Sequence, residues 1–402
     1  MMSSLQKATQ QQTKTHNSRL ILKAIYDERQ ISRADVSRLT SLTKTTVSDL
    51  VMELQDKGLV QEIGYGQSMG GRSPILLSVR EDARHLICID LENDELRGAV
   101  VNLRSEIIST ASQSLRGRQG DEALRLVYDL VDTLLAATDK PLLGIGIGTP
   151  GLVDTTSRVV VRAVNLGWRT MPLGDLLQER YNLPIYVAND SQLAALAQYM
   201  FAGQKYESNL VVVKVGTGIG AGIVLDGKLF HGDGFGAGEI GHISVVENGR
   251  ECRCGNRGCL ETVASTPAII SRAEELARQT PSSNLNGKVA LEGELSLNRL
   301  QSAFAAGEPA ATQAILEAGR YLGIAAANLV GTLNLRRIVF LSPLAHFGVP
   351  LLDSIRQEMV RRALPTLSHD TEIELVDLRP EMVILGASAL LMSHELGLNL
   401  AR

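Results

Sequence analysis

The sequence predicts a small, mostly α-helical domain at the N-terminus and, after it, a larger α/β region made of two similar lobes. Residues 17–80 contain three segments with the apolar spacing of helices, followed by two short alternating strands. From about residue 82, continuous apolar strands alternate with helical segments, and this alternation starts again near residue 209. A chain of 402 residues is long enough for two or three such domains.

Composition and charge narrow the function classes. The chain is 44% hydrophobic and 21% charged, and it has no long uncharged apolar run, so neither disorder nor a membrane span is expected. Residues 1–16 are rich in Gln, Thr and Ser and lack the apolar core of a secretory signal, which predicts a flexible arm and a cytoplasmic protein. Residues 1–80 carry 11 Lys and Arg against 7 Asp and Glu. This basic excess favours a nucleic-acid module on an acidic body.

The helices of residues 17–80 have the spacing of a winged helix-turn-helix domain. Ser32 is expected to cap a helix through Leu39, and Thr43 to cap the third helix, which Gly58 ends. Two strands around a glycine-rich tip are typical of a β-wing. The third helix would present its first residues to DNA, and the wing would reach a minor groove. The candidate DNA-binding residues are Arg33, Lys44, Thr45, Thr46, Ser48 and Arg72. A helical interaction module, with Arg72 in an interdomain turn, is the alternative.

The α/β region, residues 81–402, is predicted to form two lobes with a ligand cleft between them. The expected strands are 86–91, 98–103, 142–148, 210–215 and 221–225, with a helix near 121–137. The first lobe is expected to comprise about 81–189 with a C-terminal helix, 385–400, and the second about 190–384.

Four residues of the second lobe form a predicted zinc site. They are His242, Cys252, Cys254 and Cys259. One imidazole and three thiolates suit a closed tetrahedral Zn²⁺ site, and four protein ligands leave no position for water, so the zinc is predicted to be structural. Gly255 and Gly258 would permit the chain reversal between the cysteines. Buried or redox-active cysteines are the alternative.

The same region resembles a known family. The segments that carry the resemblance are GEIGHI at 238–243 and CRCGNRGCLE at 252–261, supported by 146–151, 165–168 and 189–190. They closely resemble the signature of the ROK family of repressors, open reading frames and sugar kinases. Residues 31–34, 58–60 and 71–74 further resemble the repressor branch of that family, which includes xylose-, N-acetylglucosamine- and glucose-responsive regulators.

The resemblance implies a sugar-kinase-like (actin-like ATPase) fold with a sugar between the lobes. By resemblance, the sugar ligands would be Gly151, Asn165, Asn189, Asp190, Glu239, His242 and Glu261. Carboxylates and amides suit this role because each sugar hydroxyl both donates and accepts hydrogen bonds. His242 would give one ring nitrogen to zinc and the other to a sugar hydroxyl.

In a kinase of the family, Asp190 would be the general base for attack on the γ-phosphate of ATP. The nucleotide-binding features are degenerate here, because acids at 92–95 replace glycines and threonine, and SPLA at 342–345 replaces a glycine cluster. We therefore expect no catalytic residue and no sugar phosphorylation. The glycine loop at 216–222 is either a structural turn or a receptor for the phosphate of a sugar phosphate.

The sequence thus predicts a sugar-responsive transcriptional regulator, in the first place a repressor of carbohydrate uptake or catabolism genes. A homodimer or dimer of dimers would bind a palindromic double-stranded DNA operator, and a sugar or sugar phosphate would shift the arrangement of the DNA modules. Whether the sugar releases or strengthens DNA binding stays open. The alternatives are a repressor controlled by a protein partner and an active ATP-dependent sugar kinase.

Overall fold

The computed structural model describes residues 9–67, 73–92, 94–201, 209–280, 283, 285 and 295–398. The helices of these residues are α1 (Gln10–Glu28), α2 (Arg33–Thr40), α3 (Lys44–Asp56), α4 (Asp121–Ala136), α5 (Leu173–Tyr181), α6 (Asp190–Phe201), α7 (Glu261–Ala264), α8 (Thr266–Gln279), α9 (Leu297–Ala305), α10 (Pro309–Leu333), α11 (Gly348–Arg362), α12 (Pro365–Ser368) and α13 (Met382–Leu396). The strands are β1 (Ile31–Ser32), β2 (Val60–Tyr65), β3 (Ile75–Val79), β4 (His85–Leu91), β5 (Glu95–Val101), β6 (Ile107–Ser114), β7 (Leu142–Thr149), β8 (Leu152–Asp154), β9 (Val159–Ala163), β10 (Trp168–Met171), β11 (Ile185–Asn189), β12 (Leu210–Val215), β13 (Ile219–Leu225), β14 (Lys228–Leu229), β15 (Arg337–Leu341) and β16 (Glu372–Val376).

The N-terminal domain is a winged helix-turn-helix, as predicted. Helices α1, α2 and α3 pack on a three-stranded sheet with the order β1-β3-β2. Ser32 caps α2 by accepting a hydrogen bond from the Asp35 amide at 3.2 Å, and Thr43 caps α3 by accepting one from the Thr46 amide at 3.2 Å. Ile21, Val47 and other apolar side chains of the three helices are fully buried between them. The expected caps and wing strands are confirmed.

The prediction of a flexible arm over residues 1–16 is partly wrong. Helix α1 begins at Gln10, and Thr9 and Gln12 cap it reciprocally, each side chain bonding the other residue's backbone amide. This capping box supplies partners for two amides that a helix start otherwise leaves open, which explains why a polar segment is helical. Residues 1–8 lie outside the described residues.

The described residues divide into two compact units, each with a five-stranded sheet. The first contains the residues up to Gly148, with Pro172–Val187 and those from Ala387 onward. Its sheet has the order β11-β7-β4-β5-β6, with β4 parallel to β7 and antiparallel to β5. Arg104, after β5, holds the DNA-binding domain by donating to the Tyr26 carbonyl of α1 at 2.6 Å and stacking 4.6 Å from the centre of its ring.

The second unit contains Thr149–Met171 and Ala188–Gly386. Its larger sheet has the order β14-β13-β12-β15-β16, in which β12 and β15 are parallel, and its smaller sheet has the order β10-β9-β8. We expected residues 149–171 in the first lobe. They group with the second unit, where the side chain of Asn189, the last residue of β11, donates to the Gly151 carbonyl at 2.9 Å. None of the described helices is both long and apolar enough to cross a membrane.

Candidate functional site

The four predicted metal ligands converge in the second unit. Their ligand atoms all lie within 4.8 Å of one another. The Cys252 Sγ is 3.6 Å from Nδ1 of His242, and the sulfurs of Cys254 and Cys259 are 3.7 Å apart. Zinc–sulfur bonds of about 2.3 Å at tetrahedral angles place two sulfurs about 3.8 Å apart. The cluster therefore has the donors and the dimensions of a metal site.

The loop that carries the cysteines closes on itself through backbone hydrogen bonds. The Cys252 amide donates to the Asn256 carbonyl at 2.8 Å, and Glu251 pairs with Arg257 as an isolated bridge. Gly255 and Gly258 have φ of +97° and +70°, which confirms the predicted chain reversal at glycine. Burial raises the pKa of the Cys252 thiol, and that of Cys259 to about 12. A bound cation would be needed to hold them as thiolates at neutral pH.

His242 connects this cluster with the predicted sugar ligands. Its Nδ1 faces the cysteines, and its Nε2 lies 3.7 Å from the carboxylate of Glu239. Partial burial raises the pKa of Glu239, and the charges of Asp190 and Glu261 raise it further against the lowering effect of His242. The two ring nitrogens thus face two different environments, one beside the cysteines and one beside a carboxylate.

Asp190 is the first residue of α6, and its carboxylate is firmly held. Oδ1 accepts a hydrogen bond from the Ser191 amide at 2.7 Å, and Oδ2 accepts one from the Lys214 ammonium at 2.6 Å. Burial raises the pKa of Asp190, but the Lys214 ammonium and the Ser191 hydrogen bonds outweigh that effect and hold it below its ordinary value. The carboxylate is therefore ionised and fixed in orientation at neutral pH.

The remaining predicted sugar ligands lie in the same unit. The Asn189 Oδ1 accepts hydrogen bonds from the Ser191 and Gln192 amides at 2.9 and 3.2 Å, so this side chain caps α6 besides binding Gly151. Asn165 lies in the turn between β9 and β10. Oε2 of Glu261 accepts a hydrogen bond from the Ile219 amide at 3.0 Å, which ties Glu261 to the glycine loop at 216–222.

Close packing accounts for several glycines of that loop. A Cβ on Gly220 would lie 2.5 Å from the Ser191 Oγ, and a Cβ on Gly222 would lie 2.3 Å from the Ala195 Cβ. On Gly218 it would lie 2.8 Å from the Glu261 carboxylate. These contacts explain the glycines through the approach of α6 and α7 to the loop, without a bound phosphate.

The predicted DNA-binding residues are only partly free to meet DNA. Lys44, Thr45 and Ser48 are exposed at the start of α3, where a recognition helix presents its side chains. Thr46 is half-buried, and its hydroxyl bonds that of Thr43 at 2.9 Å. Arg72 lies outside the described residues.

Arg33 has an internal role in the structure. Its guanidinium donates to Glu62 of β2 at 2.9 Å and to Gln55 of α3 at 3.1 Å. The side chain therefore joins the start of α2 to the recognition helix and the wing, and any contact with DNA would compete with these bonds.

Comparison with known proteins assigns the family. A model of the ROK family matches residues 86–394, and a model of winged helix-turn-helix DNA-binding domains matches residues 14–61. The chain belongs to the ROK family. This ROK protein is 36% identical to the xylose repressor of Caldicellulosiruptor bescii, over 94% of this chain and 96% of that one.

Comparison with solved structures supports the same family assignment. A ROK family transcriptional regulator, a homologue of the Escherichia coli Mlc protein, superposes with a TM-score of 0.84 at 28% identity and covers 96% of this chain and 98% of that one. A ROK glucokinase from Streptomyces griseus superposes with a TM-score of 0.67 at 27% identity, and covers 76% of this chain and 98% of that one. The family prediction is confirmed.

Lys214 was not among the residues predicted from the sequence of this ROK protein. The residue is the single charge in the otherwise apolar strand β12, Leu210–Val215, and a charge in a buried strand is a signal that it has a partner. The partner could not be identified from the pattern, because Asp190 is 24 residues away and reaches it only through the packing of α6 on the sheet.

Proposed function

We propose that this ROK protein is a sugar-responsive transcriptional repressor of carbohydrate genes. One observation carries the proposal: a single chain holds both a winged helix-turn-helix with an exposed polar recognition helix and a cluster of carboxylate, amide and imidazole groups suited to a sugar. The xylose repressor and the Mlc-like regulator match this chain over both parts.

The DNA partner of the proposal is a palindromic double-stranded operator bound by a cytoplasmic homodimer or dimer of dimers. Lys44, Thr45 and Ser48 would contact phosphates and base edges in the major groove, with Thr46 fixing the start of α3. Some eight neutralised phosphates would make log Kobs fall with log salt concentration at a slope of about −7. A slope near zero contradicts DNA binding by this surface.

The effector of the proposal is a sugar held by Asp190, Glu239 and His242, with Glu261, Gly151, Asn165 and Asn189 shaping the site. The ionised Asp190 would accept a hydrogen bond from a sugar hydroxyl, and the Nε2 side of His242 would meet another. Because several relatives are named xylose repressors, D-xylose is the first effector to test.

The metal of the proposal is a structural Zn²⁺ bound by the His242, Cys252, Cys254 and Cys259 cluster. The soft thiolate donors and the distances between them suit that ion. Bound zinc would fix the ring orientation of His242, and through it the Nε2 that faces Glu239.

The effector can release DNA only through a difference in affinity between two arrangements of the protein. A sugar that binds the DNA-incompetent arrangement 100-fold more tightly shifts the equilibrium by about 2.7 kcal/mol, which is enough to relieve repression. A sugar that favours the DNA-competent arrangement would instead act as a co-repressor.

We further propose that the protein is not a kinase. In the turn after β4, Arg97 forms ion pairs with Glu92 and Glu95 at 3.2 and 2.8 Å, so the charge there is partly neutralised rather than free to repel a nucleotide. The glycines of a phosphate-binding turn are nevertheless absent from residues 90–95. In the second degenerate segment, residues 342–345, the buried Ser342 hydroxyl caps a 3-10 turn by accepting a hydrogen bond from the Leu344 amide at 3.1 Å. Release of ADP above background with any hexose or pentose contradicts this part.

The test of the function is fluorescence anisotropy of the purified protein on fragments of its own genomic neighbourhood. The panel contains D-xylose, D-glucose, N-acetylglucosamine and their phosphates. Specific binding that one sugar releases supports the proposal and identifies the effector. Specific binding that ignores every sugar favours control by a protein partner, and absence of specific DNA binding contradicts the proposal.

A further inference from the structure

Lys214 extends from β12 to Asp190 and forms an almost buried ion pair with it. The two side chains are 12% and 15% exposed, and Nζ lies 2.6 Å from Oδ2. Neighbouring Val213 and Val215 are fully buried. An ammonium group in such a strand loses hydration, and a single buried pair is often no more stable than an apolar replacement. Fold stability alone therefore does not explain why a lysine stands here.

The pair changes what the Asp190 carboxylate can do. Oδ1 accepts hydrogen bonds from the Ser191 amide and, at 3.3 Å, the Ser191 hydroxyl, while Oδ2 accepts one from Lys214. A carboxylate has about four lone-pair positions, so acceptor capacity for a ligand hydroxyl remains. A general base, in contrast, must bind the proton it removes, and an adjacent ammonium stabilises the unprotonated form.

We propose that Lys214 is a positioning residue that makes Asp190 a fixed hydroxyl acceptor for the effector sugar and prevents it from acting as a base. The inference rests on the proposed function, in which Asp190 binds the effector. It adds the reason why a carboxylate in the place of a kinase base serves here for binding alone.

The surrounding charges make the contribution of Lys214 measurable. Glu239 experiences the negative charges of both Asp190 and Glu261, and it lies beside His242. Without the ammonium group, the almost buried Asp190 would interact with the charge of Glu239 and would have only hydrogen bonds to stabilise its own charge. Burial and like charge both favour the protonated form, which cannot accept a charge-assisted hydrogen bond from a sugar hydroxyl.

The test compares Lys214→Met, Asp190→Asn and the double variant with wild type. Affinity for each of D-xylose, D-glucose and N-acetylglucosamine is measured by calorimetry between pH 5 and 8. Wild-type affinity for the bound sugar is the reference at each pH. Relative to wild type, Lys214→Met is expected to lose affinity at low pH and to recover it toward pH 8. A carboxyl whose pKa is one unit above the assay pH is ionised in about one molecule in ten, which weakens binding about tenfold.

The other variants show whether Lys214 acts through Asp190. Asp190→Asn is expected to bind weakly at every pH, and adding Lys214→Met to it should weaken binding no further. Lys228→Met, at an exposed lysine of β14 in the same sheet, is the matched control and should behave as wild type. If Lys214→Met does not fold, Lys214→Gln should show the same pH dependence, and Lys214→Arg should bind with the pH dependence of wild type.

Three results overturn the inference. One is a Lys214→Met or Lys214→Gln variant with wild-type affinity at every pH. The second is an additive loss in the double variant, because Lys214 would then act independently of Asp190. The third is loss of affinity by the same factor at every pH, which indicates a purely structural role. A wild-type protein that binds none of the sugars contradicts the proposed function itself, and the inference with it.

Discussion

Replacing Gly258 by alanine is expected to abolish binding of the proposed zinc ion, while the same change at Gly255 should leave it bound. A Cβ on Gly258 would lie 1.8 Å from the Val246 carbonyl oxygen. To move this Cβ and the Val246 oxygen apart to even 3.0 Å, the backbone must shift by about 1.2 Å. Metal–ligand distances tolerate a change of only about 0.2 Å. Because Cys259 follows directly, the shift would move a ligand out of reach.

Gly255→Ala is the matched control, since Gly255 also has a positive φ but no atom within 4 Å of its added Cβ. Strain alone costs about 1–3 kcal/mol, which weakens metal binding about 5- to 150-fold. Structural zinc binds with about 10–16 kcal/mol, so this variant should stay loaded. Zinc per chain is measured after dialysis, with a thiol reagent and a chromogenic chelator. A fully loaded Gly258→Ala protein, or equal loss in both variants, refutes the reasoning.

Three further predictions concern the DNA-binding domain. Lys44→Ala should weaken binding to all DNA sequences similarly and make the salt slope less steep by about 1, measured by anisotropy at several salt concentrations; an unchanged slope contradicts the phosphate contact. Arg33→Met should lower the free energy of unfolding by up to about 1 kcal/mol in urea melts, because it removes a partly exposed ion pair with Glu62 and a hydrogen bond to Gln55; a variant more stable than wild type contradicts the internal role. Arg104→Met should lower the free energy of unfolding by about 2–3 kcal/mol in the same urea melts, because the hydrogen bond to Tyr26 and the contact with its ring are lost. Arg125→Met, at an exposed site on α4, is the control and should change the free energy of unfolding little; equal effects of the two changes contradict the role of Arg104.

Local signals in the sequence predicted much of the fold and one of the sites. Ser32 and Thr43 cap helices through amides only three residues away, and the cysteines of the metal cluster span eight residues. Such features depend on short stretches of chain, whose conformations sequence patterns reveal. The capping box of Thr9 and Gln12 is equally local. This pair of residues in the sequence indicates a helix start at Gln10 inside the segment that was predicted to be a flexible arm.

Contacts between distant segments could not be predicted in the same way. Arg33 meets Glu62, 29 residues away, only because the sheet that contains β2 packs against α2 and α3. The Lys214–Asp190 pair depends on the packing of α6 on β12. In both cases the residue types were visible in the sequence, but the partner was determined by tertiary packing. A charged residue in an apolar strand is therefore worth treating as half of an unidentified pair.

The most direct test of the account is sugar-induced release of operator DNA, compared between wild type and Asp190→Asn. Anisotropy of a labelled operator fragment is followed while D-xylose, or the sugar selected from the panel, is added to each protein. We expect the sugar to release wild-type protein from the operator, and we expect Asp190→Asn to need far more sugar for the same release. Equal release of both proteins would show that the effector does not bind at Asp190, and DNA binding that no sugar alters would contradict a sugar-responsive repressor.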